Sequence, residues 1–156
     1  MINQSNRAST DRRSQSLADI HSLVSSRSET LSLYTGLASH RPFNQNANFT
    51  DELKHFCEAL IDYTASAHFR LYQHLAENRE RRQAVLNVAD NLYPKIAETT
   101  DEILEFNDRY GDEKRTALQT QAVERDLSHL GEILADRIQC EDQVIDALQD
   151  QRRKKS

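Results

Sequence analysis

Residues 51–75, DELKHFCEALIDYTASAHFRLYQHL, carry the pattern that decides the fold. Leu53, Phe56, Cys57, Leu60, Thr64, Leu71 and Leu75 recur at the three- and four-residue spacings that an α-helix gathers on one side. With about 100° per residue and Leu53 at zero, Leu60, Thr64, Leu71 and Leu75 fall within about 40° of it and define the core direction. Thr50 or Asp51 can cap this helix, because either side chain satisfies a free amide of the first turn. The charged cluster Glu77 to Arg82 marks its end or an exposed continuation.

Working outward, a helix on the N-terminal side begins near Ser14 or Ser16, carries Leu17, Ile20, Val24, Leu31 and Tyr34, and ends before Pro42. Ser39 to Thr50, with Pro42, three Asn and two Phe, reads as an ordered connection between antiparallel helices. A third helix holds Val85, Val88, Leu92, Ile96, Thr99, Ile103 and Phe106, with a kink or short break expected at Pro94 and a stop at Gly111. The fourth runs from about Glu113 to Gln149 on Val123, Leu127, Leu130, Leu134, Ile138, Ile145 and Leu148. The expected fold is all-α, an antiparallel up-down four-helix bundle over residues 14–150. A disordered polar arm (1–13) and a basic tail (151–156) flank it.

Composition supports this class. Three Gly and two Pro leave few turn-formers for a β-sandwich or a doubly wound sheet. No apolar run approaches the ~18 residues of a membrane span, and the polar start lacks the apolar stretch of a leader, so a cytoplasmic protein is expected. Cys57 and Cys140 are too few for a disulfide framework, lack zinc-ligand spacing, and read as small buried hydrophobes. The charge is unevenly distributed. Residues 14–151 carry 13 basic against 24 acidic side chains, a formal −11, while seven of the 20 Lys and Arg lie in the tails. Such a body repels phosphate backbones and attracts basic surfaces.

Function is most legible where the binary pattern breaks. On the wheel of residues 51–75, Glu58, Asp62 and Phe69 fall at about 140°, 180° and 160°, and His55, Ser66 and Gln73 at about 200° to 220°, facing away from the core. Phe69 is a large aromatic on an acidic stripe. Either it anchors a protein interface, as exposed aromatics among charges commonly do, or a loop or the N-terminal arm covers it. The second break is Glu141, near the centre of the fourth helix's apolar stripe. A buried carboxylate needs a cationic or donor partner, and Arg137 one turn earlier or His68 on the second helix can provide it. A satisfied polar network that fixes helix register is favoured over catalysis.

At these residues the chain resembles a known family. Phe56-Cys57-Glu58-Ala59-Leu60-Ile61-Asp62-Tyr63, followed by His68-Phe69-Arg70-Leu71-Tyr72, is similar to the second-helix signature of the Rsd/AlgQ family, bacterial regulators that bind the housekeeping sigma factor. Tyr93-Pro94 with Thr99 resembles the family's kinked third helix. Leu127, Leu130-Gly131, Leu134 and Arg137 to Asp142 resemble its fourth. Two departures stand out: Ala65-Ser66-Ala67 sets a hydroxyl one position later than the family's pattern, and the first helix lacks the usual Trp and Arg-Lys pair, with Arg27, Leu31 and Tyr34 as weaker matches. The resemblance implies a four-helix bundle that binds the C-terminal sigma domain recognising the −35 promoter element and withholds it from DNA and polymerase. It also implies that Asp62 meets a sigma Arg or Lys and that Phe69 is the apolar anchor. Glu58, His55, Ser66 and Gln73 complete the expected partner-binding face. No enzyme activity, cofactor, direct nucleic-acid contact or membrane contact is expected.

The leading alternative is a di-iron or hemerythrin-like bundle, since helix bundles host such centres. The chain has one Glu-x-x-His, Glu52 with His55, and only Asp126-x-x-His129 as a second approximation. Glu52 and His55 sit at about 260° and 200°, so ligand count and direction both fail. No Gly-x-Ser-x-Gly and no Gly-rich phosphate loop are present, and the basic tail reads as a solvated terminus.

Overall fold

The structure, a computed structural model, describes residues 4–40, 47–72, 83–111 and 120–153, with side chains described within 17–40, 49–72, 83–111 and 122–149. Its elements are α1 (Gln4–Ala38), α2 (Ala47–Ala67) continued by a single π-helical turn (His68–Tyr72), α3 (Gln83–Tyr110) and α4 (Thr120–Arg153). Among the described residues there is no strand. The contacts run antiparallel throughout. Thr30 meets Ala59 while Asp19 meets Arg70, setting α1 against α2. Phe56 meets Phe106 while Tyr72 meets Tyr93, setting α2 against α3. Arg109 meets Asp126 while Thr100 meets Arg137, setting α3 against α4. The molecule is therefore an up-down-up-down four-helix bundle.

The core direction of α2 is built from Leu53, Phe56, Cys57, Leu60, Tyr63, Thr64 and Ala67, all buried. Burial pushes the Cys57 thiol up to about 12, with the Glu58 charge adding to the effect. In α3, Val85, Ile96, Thr99, Ile103 and Phe106 are buried, and the helix continues through Pro94 without a break. It ends at Gly111, whose amide donates to Asn107 O at 2.7 Å. A Cβ at that position would lie 2.7 Å from the same carbonyl, so only glycine closes the helix this tightly.

Three expectations are corrected. α1 begins at Gln4, so the helix does not start at Ser14 or Ser16. No Pro or Gly interrupts the chain from there to Gly36, and extending a formed helix costs far less than nucleating one. The buried seam of α1 is also different. Ile20, Leu23, Thr30 and Leu37 face inward, whereas Leu17 is 50% exposed and Val24 and Leu31 are only half-buried. Thr30 holds its place because its hydroxyl donates to Ser26 O at 2.9 Å and lies 3.3 Å from Ala59 O on α2. In α4, Arg137 occupies the seam position expected for Ile138, which is half-buried. The start expected at Glu113 and the segment Glu77 to Arg82 lie outside the described residues.

Candidate protein-binding face and the polar hub behind it

The outer surface of α2 follows from its amphipathic period. Burying Leu53, Leu60 and Ala67 turns His55, Glu58 and Asp62 to solvent. Between this surface and α1 runs a groove of about 310 Å³ whose floor is Thr30, Leu33 and Ala59 and whose acidic lining is Glu29, Glu58 and Asp62. His55 also lines it, its Nδ1 3.8 Å from Glu58 Oε2, with both side chains well exposed. The groove thus gathers three of the sequence-derived residues with Glu29, contributed by α1. No wheel of a single helix could reveal Glu29, because it joins the group only through α1–α2 packing.

Beyond the groove, Ser66 is half-buried and Phe69 is 65% exposed. The Phe69 ring does not line the groove; it stands edge-on to His68, with centroids 5.2 Å apart. Next to it, Arg70 Nη1 is 3.2 Å from Asp19 Oδ1, which ties the π-turn to α1. Gln73 lies outside the described residues.

Behind this face sits a polar hub. Glu141 is fully buried and Arg137 is 1% exposed. Arg137 Nε donates to Glu141 Oε2 at 3.1 Å, and its Nη1 donates to Thr99 Oγ1 at 3.2 Å and Thr100 Oγ1 at 2.8 Å. The Tyr63 hydroxyl donates to Glu141 Oε1, and the Tyr72 hydroxyl to Oε2 at 3.2 Å. The guanidinium of Arg137 also lies 5.5 Å from the Tyr63 ring centroid. From α1, Arg27 Nη1 stands 3.6 Å from Glu141 Oε1 and 2.9 Å from Asp142 Oδ1. Burial, reinforced by the Glu141 charge, pushes both tyrosine hydroxyls well above their ordinary range. Burial opposes the Arg137 charge, but Glu141 and the two tyrosines outweigh it and the pKa is raised.

His68 does not join this hub and is corrected accordingly: it is exposed. The buried side of α2 centres between Leu60 and Ala67, towards Phe56, so a residue about 60° beyond Leu53 on the other flank clears the core. Tyr63 and Tyr72 take its place. Neither is legible as a partner, because on an unbroken α-helix Tyr63 falls about 80° from Leu53 on one flank and Tyr72 about 100° from it on the other. The π-turn advances each residue through a smaller angle and brings Tyr72 inward.

Metal ligation finds no such convergence. Among the described residues, no three His, Cys, Asp or Glu side chains are grouped to hold an ion. Glu52 pairs with His40 at 2.6 Å rather than with His55. Asp126 accepts from the Tyr110 hydroxyl and Arg109, while His129 lies 3.3 Å from Glu102, in a separate groove between α3 and α4. No described helix is long and apolar enough to cross a membrane.

Residues 1–149 match the protein family described as regulator of RNA polymerase sigma(70) subunit, Rsd/AlgQ. Curated relatives include a "Regulator of sigma D" from Yersinia enterocolitica, 31% identical over 107 residues, 68% of this chain and 61% of that protein. Another from Enterobacter sp. is 28% identical over 121 residues, 76% of this chain and 73% of that protein. One from Yersinia pseudotuberculosis is 29% identical over 107 residues, 60% of its length. The match thus spans about three fifths of the Yersinia proteins. No solved structure matches the chain.

Proposed function

Since the chain belongs to the Rsd/AlgQ family, we propose that it regulates transcription by binding the housekeeping sigma factor through its C-terminal, −35-recognising domain and withholding that domain from polymerase and promoter DNA. The observation that carries this reading is the exposed Phe69 ring, seven residues along from Asp62, which with Glu29 and Glu58 lines an acidic groove. A helix-turn-helix domain that reads DNA is basic, because it must neutralise phosphates. An acidic bundle competes for it by presenting carboxylates where DNA presents phosphates, and it repels nucleic acid itself. In this arrangement Asp62 and Glu58 meet Arg or Lys side chains, Phe69 supplies the apolar anchor, and His55 and Ser66 flank the contact. Sigma and polymerase place the action in the cytoplasm, with no membrane and no catalytic step.

Titration with the isolated C-terminal sigma domain tests this. Phe69→Ala or Asp62→Ala weakens the complex by about 1–3 kcal/mol, and rising salt weakens the wild-type complex. Wild-type affinity in both variants removes this face from the interface. Among the described residues the di-iron reading has no supporting geometry, and metal analysis of the purified protein addresses it independently.

A further inference from the structure

The π-turn lies between the two parts of the molecule described above. Its last residue, Tyr72, is 6% exposed and donates its hydroxyl to Glu141 at 3.2 Å. Its second residue, Phe69, is 65% exposed. One turn of chain therefore has one aromatic bonded to the buried hub and another pointing outward. A π-turn is rare, and an isolated one costs helix geometry that something must offset. Here the compensation is visible. On an unbroken α-helix Tyr72 would sit on the flank of the bundle, about 100° from Leu53. Widening the turn lets its hydroxyl reach Glu141, while its ring packs edge-on to Tyr93, with centroids 6.2 Å apart. The same widening rotates Phe69 and Arg70 relative to α2, and Arg70 meets Asp19 on α1 at 3.2 Å.

We propose that Tyr72, through its hydroxyl bond to Glu141, is a positioning residue that holds residues 68–72 in the π-turn and so sets the direction in which Phe69 is offered to the partner. This rests on the reading of Phe69 as an anchor for the sigma domain. Tyr72 touches no partner; it acts through the turn. The hub accordingly has a role beyond stability, since one of its bonds reaches the outer face.

Tyr72→Phe removes the hydroxyl and keeps the ring against Tyr93, so the bundle should remain folded, as far-UV circular dichroism will show. Two readouts are needed. Amide exchange of residues 68–72 by NMR reports the turn directly and should accelerate roughly three- to ten-fold, the weight of one hydrogen bond. Affinity for the isolated C-terminal sigma domain should fall by a similar roughly three- to ten-fold. In a Phe69→Ala background Tyr72→Phe should have no further effect, whereas its effect should persist in an Asp62→Ala background. Unchanged exchange in Tyr72→Phe overturns the proposal, as does unchanged affinity, and so does an equal loss of affinity with and without Phe69. If Phe69→Ala alone binds at wild-type strength, the interface reading fails with it. The exchange rates then still decide whether Tyr72 holds the turn.

Discussion

The inside of the bundle and its outer α2 face both break the hydrophobic pattern, but they treat charge in opposite ways. Within the hub, Glu141 receives donors from Tyr63, Tyr72 and Arg137, and Arg137 reaches on to Thr99 and Thr100, so every helix except α1 bonds to it and Arg27 adds an ion pair from α1. On the outer face, Glu29, Glu58 and Asp62 line an open groove, and the pairing of His55 with Glu58 there, at 3.8 Å, is long and exposed. Satisfied buried charge holds the four helices in register, and exposed carboxylates remain available to a cationic partner. The polar residues of one bundle thus separate into a buried, mutually bonded group and an exposed group, to which the proposed function assigns binding, according to what lies within reach of each.

Variants can break this contrast from either side. The largest effect is expected in the hub: Glu141→Ala leaves Arg137 buried without its counter-charge and should cost about 3–5 kcal/mol of unfolding free energy, read from urea titration. A loss under about 1 kcal/mol, the size of a surface change, would mean that the hub is not structural.

Alkaline pH probes the same interior. Tyr63 and Tyr72 have folded pKa values raised above their ordinary 10.0, and Cys57 is raised from 9.0 to about 12. Above pH 9 the unfolded chain loses these protons first, so the native state holds more of them and unfolding becomes progressively more favourable. Stability should be insensitive to these groups below pH 9 and fall as pH rises from 9 to 12, by at most about 1.4 kcal/mol per pH unit for each group. Denaturant midpoints across this range check it, and Tyr72→Phe should make the decline shallower above pH 10.

On the outer face the signs reverse. Phe69→Ala and Asp62→Ala should leave stability within about 0.5 kcal/mol of wild type while weakening the sigma-domain complex by about 1–3 kcal/mol. Calorimetric titration and thermal melts measure the two sides separately. The smallest effect sharpens the contrast: the Tyr34 hydroxyl donates to Leu127 O at 2.9 Å, away from the groove. Tyr34→Phe should cost about 1 kcal/mol of stability and leave binding unchanged.

How far the sequence discloses these features depends on how many helices each one involves. The seam of α2, the seam of α4 apart from Arg137 in the place expected for Ile138, and the outward direction of Phe69 are properties of single helices, and a wheel reads them directly. α1 is harder, because its seam includes Thr30, whose burial depends on a carbonyl of α2 and not on its own apolarity. The hub is only half legible. Arg137 and Glu141 are one turn apart on α4, but Tyr63, Tyr72 and Arg27 arrive from other elements. Tyr72 arrives only because a π-turn replaces regular helix, which no periodicity at 3.6 residues anticipates. The same regularity sets His68 on the core side of α2, yet it is exposed. Glu29 shows the general point: an acidic residue on a weakly patterned helix comes to line the groove through its neighbour alone.

The most direct measurement is the affinity of the isolated C-terminal sigma domain for the Phe69→Ala/Asp62→Ala double variant, set beside wild type at matched salt and with melting temperatures recorded for both. An acidic, aromatic-anchored binding face predicts a double variant that melts like wild type and binds more weakly than either single variant. A double variant that holds the sigma domain as tightly as wild type contradicts it.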